Sequence, residues 1–200
     1  MTMNHAAANR RLFGSRFLLG RLKFFSNLRT HSGFTLIELL VTVAIGSILL
    51  ALAAPSFQNM LLNNRLTAQA GGLTTALNYA RNTALSQAVT VRICPFGTLN
   101  SFTCGASWSA GWIVVSDPTG TPTLLQSKQI TSSNAVLSST TATTKVDFNP
   151  RGLSTASSFQ VCDSRGAAFA RSLQVFASGF VQAGTTPGQV AWGSAALTCP

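Results

Sequence analysis

Apolar positions run almost unbroken from Phe34 to Ala54, recur every three or four residues as far as about Gln87, and alternate with polar ones from Val89 onward. The first stretch, FTLIELLVTVAIGSILLALAA, is 21 residues with one ionisable group. At about 1.5 Å per residue it reaches roughly 30 Å, the depth of a bilayer core. Beyond Pro55, the residues Leu66, Ala70, Leu73, Leu77, Ala80 and Ala84 fall on one stripe and predict an amphipathic helix laid on its own domain. Gly71-Gly72 inside it predicts a local bend or a close sheet contact, since each glycine costs about 1 kcal/mol against alanine in a helix. Val89, Val91 and Ile93 alternate with Thr90, Arg92 and Cys94, strands are expected from there on at Trp112–Val115, Thr123–Ile130, Phe159–Cys162 and Phe169–Phe176, and Phe180-Val181-Gln182 starts another. Asp117-Pro118-Thr119-Gly120 and Asp163-Ser164-Arg165-Gly166 punctuate them as turns. The Ser/Thr-rich stretch Thr131–Thr144 reads as a loop or a weak edge strand.

Charge changes this picture by its distribution. The chain of 200 residues carries 14 Lys+Arg against 4 Asp+Glu, a formal +10, which invites a nucleic-acid reading. Six of the fourteen (Arg10, Arg11, Arg16, Arg21, Lys23, Arg29) precede residue 33 with no acid among them, and the other eight face all four acids. A basic flank before an apolar span predicts a cytoplasmic N-terminus and export of everything after Pro55. An ordinary secretory signal is the rival, because Ala51-Leu52-Ala53 has small-x-small form. It fits less well: the apolar run exceeds the usual h-region, Pro55 follows closely and Glu38 interrupts it.

Glu38 costs roughly 2.5 to 3.5 kcal/mol at a bilayer centre, and less toward a helix end, so it calls for a partner or a snorkelling path. It stands in Gly33-Phe34-Thr35-Leu36-Ile37-Glu38-Leu39-Leu40, which resembles the processing site of type IV prepilins and type II secretion pseudopilins. The resemblance implies that a prepilin peptidase cuts after Gly33 and methylates the new N-terminal Phe34. It further implies that Glu38 pairs with the terminal amine of a neighbouring subunit, and that Pro55 is the kinking proline of the helix. An amine and a carboxylate, each unfavourable alone in lipid, compensate when docked in register.

Further along, Ala53-Ala54-Pro55-Ser56-Phe57, Ala80-Arg81, Ile93-Cys94-Pro95, Gly111-Trp112, Phe148-Asn149-Pro150-Arg151-Gly152 and Val161-Cys162-Asp163, in that order, resemble the GspH/FimT family of minor pilins and pseudopilins. The N-terminal details resemble the FimT branch more. The implied fold is α+β and type IV pilin-like: a long N-terminal helix, half transmembrane and half amphipathic, packed on a mainly antiparallel sheet domain. The expected segments are a cleaved basic leader at 1–33, a transmembrane helix at 34–54, an amphipathic helix at 55–88 and an exported β-rich domain at 89–200. The implied role is a minor pilin assembled into, or initiating, a type IV pilus; a type II secretion pseudopilin is the alternative. Its partners are the prepilin peptidase, other pilins or pseudopilins and the bacterial inner membrane, which it crosses once with the C-terminal domain periplasmic.

Some FimT-type pilins bind DNA through a Gly-Arg-x-Arg motif; here that position reads Gly179-Phe180-Val181-Gln182. Each missing arginine removes a phosphate contact and its released counterion, so weak or absent DNA binding is expected, with Arg165 and Arg171 the candidate contacts and Arg151 and Lys145 near them. In the leader, Leu12, Phe13, Phe17 and Leu18 interleave with arginines, which suits an anionic membrane surface; a translation start placed too early explains the same length.

Cys94, Cys104, Cys162 and Cys199 all lie on the exported side, where disulfides form. Four thiols allow three pairings; the one expected joins Cys94 to Cys104, which would close a short loop, and Cys162 to Cys199, which would tie down the C-terminus. There is no Cys-x-x-Cys, and both histidines, His5 and His31, fall in the leader, so neither a metal site nor a cofactor is expected. No histidine chemistry is available downstream, and neither a nucleophile elbow nor a phosphate loop accompanies Lys128 or Lys145, so no enzyme is expected.

Overall fold

The computed structural model describes residues 33–99, 101–131 and 134–199, so the segment expected to be a leader, apart from Gly33, lies outside the described residues. One helix, α1, occupies Leu36–Gln87 with Pro55 inside it. Proline has no amide hydrogen, so the carbonyl of Ala51 receives no i→i+4 bond there. The chain divides after Ala44 into two compact units.

In the first unit, α1 opens at Thr35, whose hydroxyl accepts the amide of Glu38 at 3.3 Å and whose carbonyl accepts the amide of Leu39 at 3.2 Å. Thr35 therefore caps the helix, and Glu38 sits in the first turn, where the helix dipole favours a negative charge.

In the second unit, the stripe read from the sequence is buried in full: Leu66, Ala70, Leu73, Leu77, Ala80 and Ala84, joined by Ala76 and Thr83. α1 ends when Ala88 adopts a left-handed conformation, φ 54°, which turns the chain into β1 at Val91–Pro95 and delays that strand by two residues. The further strands are β2 (Gly111–Ser116), β3 (Thr123–Gln129), β4 (Val136–Ser139), β5 (Val146–Phe148), β6 (Ser157–Cys162), β7 (Arg171–Val175) and β8 (Val181–Ala183). They form two antiparallel sheets, ordered β3-β2-β1-β5 and β4-β6-β7-β8. β4 is the edge strand within the Ser/Thr-rich stretch. β5 was not expected, because three residues, Val146 to Phe148, carry too little alternation to stand out. β7 starts at Arg171 rather than Phe169, since Ala167–Phe169 close a single 3-10 turn.

Both sheets turn one face to the helix. Val91, Ile93, Val114 and Phe148 of the first and Leu137, Phe159, Val161 and Leu173 of the second share one core with the α1 stripe. Trp108 meets Phe159 edge to face at 4.8 Å, and its indole nitrogen donates to the carbonyl of Thr143. Gly72 lies where a β-carbon would sit 3.4 Å from the ring of Trp112, so it serves a close helix–sheet contact, while a β-carbon at Gly71 would meet nothing within 4 Å. Two smaller clusters back the sheets: Cys94, Phe96, Ile113 and Val115 behind the first, and Cys162, Ala170 and Leu197 behind the second.

Candidate functional site

Three places carry the residues singled out by the sequence. At the start of the described chain, Gly33 and Phe34 precede the helix, and the Phe34 side chain is 78 % exposed. Glu38 stands four residues on, without an ion-pair partner among the described residues. The helix around it is apolar and uncovered: its most hydrophobic 18-residue window has a mean hydropathy of 2.5 and no buried residue, so it is long and apolar enough to cross a membrane. Thr35 was missed by the sequence reading. The signal was present, because threonine three residues ahead of a glutamate at the head of an apolar run is the capping-box pattern.

At the C-terminal end of α1, Arg81 reaches across two turns, donating from Nε to the carbonyl of Gly152 at 3.3 Å and from Nη2 to that of Ser178 at 3.1 Å. Asn149 shapes the first turn by accepting the amides of Arg151 and Leu153 on its side-chain oxygen. In the second, Gly179 has φ 74°, and a β-carbon there would fall 1.8 Å from the carbonyl oxygen of Gly152. Ala80-Arg81 and Asn149-Pro150-Arg151-Gly152, far apart in the chain, are thus one structural knot. The Gly179-Phe180-Val181-Gln182 segment beside it presents aromatic rings: Phe176 stacks on Phe180 at 6.1 Å and meets Trp192 edge-on at 5.9 Å.

The two candidate DNA contacts are placed differently. Arg165 pairs with Asp163, Nη2 to Oδ2 at 2.7 Å, with side chains only 13 % and 1 % exposed. It also donates to the side-chain oxygen of Asn63 at 2.8 Å and to the carbonyl of Asn59, and lies 4.3 Å over the ring of Phe169. Its donors thus serve Asp163 within the turn after β6 and fasten that turn to α1 through Asn59 and Asn63. Arg171, on β7 opposite Val161, is half-buried, and its Nε has no hydrogen-bond partner. Of the two neighbours named with them, Arg151 is exposed, and Lys145 stands 3.8 Å from Asp147. Asp147 is held chiefly by Arg92 in a two-pronged pair at 2.6 and 2.8 Å. Those hydrogen bonds raise the pKa of Arg92, against the lowering effect of partial burial.

Cys94 is bonded to Cys104 and Cys162 to Cys199. The second bond fastens a C-terminal strap over the outer face of the second sheet. Gln160 donates to the carbonyl of Thr198 and Ser172 to that of Gln189, while Leu197 packs on Ala170. No group of three or more metal-ligating side chains occurs among the described residues.

Two family models match. The type II transport protein GspH model covers residues 69–179, more than half of the chain, and the prokaryotic N-terminal methylation motif covers residues 28–54. No curated protein sequence matches. Among solved structures, the chain is similar to the type IV minor pilin FimU of Pseudomonas aeruginosa in two crystal forms. The first match has 21 % identity over 60 % of this chain and 88 % of FimU, with a TM-score of 0.48. The second has 21 % identity over 59 % and 91 %, with a TM-score of 0.46.

Proposed function

We propose, since this chain belongs to the GspH family of type II transport proteins, that it works as a FimT-like minor pilin, assembled into or initiating a type IV pilus. Membership brings the coarser properties with it: processing by a prepilin peptidase, contact with other pilins, and a structural rather than catalytic role. The observation that supports assembly through the helix, in a pilus or a pseudopilus, is the uncovered apolar helix headed by Gly33-Phe34-Thr35-Leu36-Ile37-Glu38, within the matched methylation motif. Such a surface is stable only in lipid or against similar helices.

On this reading the peptidase cuts after Gly33 and methylates Phe34, and the chain is held N-terminus inward in the inner membrane. Removing the leader frees an ammonium beside the cap at Thr35. That ammonium meets Glu38 of an adjacent protomer and fixes the stagger between subunits, and Pro55 has the place of the kinking proline of pilin helices. Mass spectrometry of the protein extracted from membranes tests this. A chain that begins at methylated Phe34 is expected; one that retains its leader, or begins at Ala54, overturns it.

A second reading, a pseudopilin of a type II secretion apparatus, is favoured by the family model that matches the exported domain. Deletion separates the two: loss of surface pili and twitching supports the pilus, and exoproteins stranded in the periplasm support secretion. DNA capture is the least supported role, because Gly179-Phe180-Val181-Gln182 brings rings rather than arginines and Arg165 is engaged internally.

A further inference from the structure

Beside α1 the edge strand β3 does not close on the helix. Between them lies a groove of about 490 Å³ whose walls include Gln69, Gly72 and Thr75 of the helix and Trp112, Gln126 and Lys128 of the sheet. That volume is in the range of ligand pockets. A second hollow of about 260 Å³ shares Thr75 and Gln126 with it and extends it along the same seam.

The groove follows from the register. Lys128 is paired with Trp112 and Gln126 with Val114, and cross-strand partners share a face, so two long polar side chains occupy the helix-facing side where the core would otherwise continue. Its walls are incomplete in hydrogen bonding. Trp112 is only 3 % exposed, yet its Nε1 has no partner, and neither does Oε1 of Gln69. Leaving such groups unmatched costs about 1 to 3 kcal/mol each, an incentive to receive something that matches them.

Charge selects the occupant. No acid lines the groove, and Lys128 has no ion-pair partner among the described residues. The acids of this unit are engaged elsewhere: Asp147 with Arg92, Asp163 with Arg165, and Asp117 with the amides of Gly120 and Thr121. A single ammonium among neutral carboxamides and hydroxyls suits one carboxylate on an otherwise uncharged peptide. A nucleic-acid backbone calls for several cations in a row.

We propose that this groove docks an acidic peptide segment of a neighbouring pilin subunit. Its Asp or Glu carboxylate lies against Lys128, and its main chain supplies the acceptor and the donor that Trp112 and Gln69 lack. The inference rests on the reading of the chain as an assembling pilin, but its test does not need a pilus.

The full chain in detergent micelles, labelled with ¹⁵N, is titrated with acetyl-Ala-Glu-Ala-amide and with its neutral analogue acetyl-Ala-Gln-Ala-amide. The indole N–H signal of Trp112 is followed. It is assigned by its loss in Trp112→Phe, and is distinct from Trp108, already bonded to Thr143, and from the exposed Trp192. A saturable shift is expected with the glutamate peptide, weakened about fivefold in the neutral analogue and in Lys128→Met, and retained in Lys128→Arg. Equal responses to both peptides, an unchanged response in Lys128→Met, or no response at all overturns the proposal. So does a larger shift with inorganic phosphate or an oligonucleotide. Failure here in a protein still cut after Gly33 removes the groove alone; a chain that is never cut removes the pilin assembly reading.

Discussion

Replacing Arg165 with alanine separates a structural arginine from a nucleic-acid contact. The side chain forms a shielded pair with Asp163, and the carboxylate is almost wholly buried. In Arg165→Ala that carboxylate keeps only the backbone amide of residue 165, now 3.0 Å from Oδ1. Breaking one side of a buried pair costs about 3 to 5 kcal/mol, and the retained amide places the value near the lower end. Loss of the contact over Phe169 adds roughly 0.5 to 1 kcal/mol. With a urea slope of about 2 kcal/mol per molar, a combined loss of about 3.5 to 4 kcal/mol lowers the unfolding midpoint by about 1.8 to 2 M. Urea unfolding of the chain in detergent, followed by the buried Trp108 and Trp112, measures it. Replacing both partners, Asp163→Asn with Arg165→Met, leaves no orphaned charge and is expected to cost less than half as much. A mobility-shift assay at low salt runs beside it on the same proteins. The reasoning is refuted if Arg165→Ala loses under about 1 kcal/mol while abolishing tight, steeply salt-dependent DNA retention, for then the guanidinium faces phosphate.

Other consequences are as direct. Gly179→Ala forces a β-carbon onto the carbonyl of Gly152 at a positive φ and is expected to destabilise by more than 1 kcal/mol, read as a lowered melting temperature; an unchanged value contradicts the two-turn knot. Ala88→Gly relieves a left-handed alanine at the end of α1 and should raise stability by about 0.5 to 1 kcal/mol in the same melt. Loop-closure entropy gives about 3.8 kcal/mol for the Cys162–Cys199 bond, separated by 37 residues, and about 2.7 kcal/mol for Cys94–Cys104, separated by 10. Alanine pairs at the two positions are expected to keep that order in urea. Glu38→Gln should leave cleavage and methylation intact by mass spectrometry while reducing incorporation into pili; normal incorporation removes the proposed bridge.

Much of the helix was legible because its signals are local. A 3.6-residue period fixes a stripe without reference to anything distant, and each of the six stripe residues is buried. The strand signal was legible where β-prone residues ran for four or more positions up to a turn, as at Trp112–Val115 before Asp117-Pro118. It failed at β5, which is strand only because it pairs with β1 through Val91–Phe148 and Ile93–Val146. Arg165 and Arg171 looked alike in sequence, two arginines around one turn. The fold separates them, since Arg165 finds Asn59 and Asn63 more than a hundred residues back and Arg171 finds no partner for its Nε. Arg81 and the Gly152 and Ser178 carbonyls are similarly distant, so no window on the chain joins them.

The amino-acid order alone thus settles what depends on nearest neighbours: an apolar span, a carboxylate at its head, a stripe and the turn residues. Division into two sheets, the groove beside β3 and the occupation of Arg165 depend on which surfaces meet once the core has closed. Those meetings are set by the burial of side chains remote in sequence, which only a folded chain brings within a few ångströms of one another.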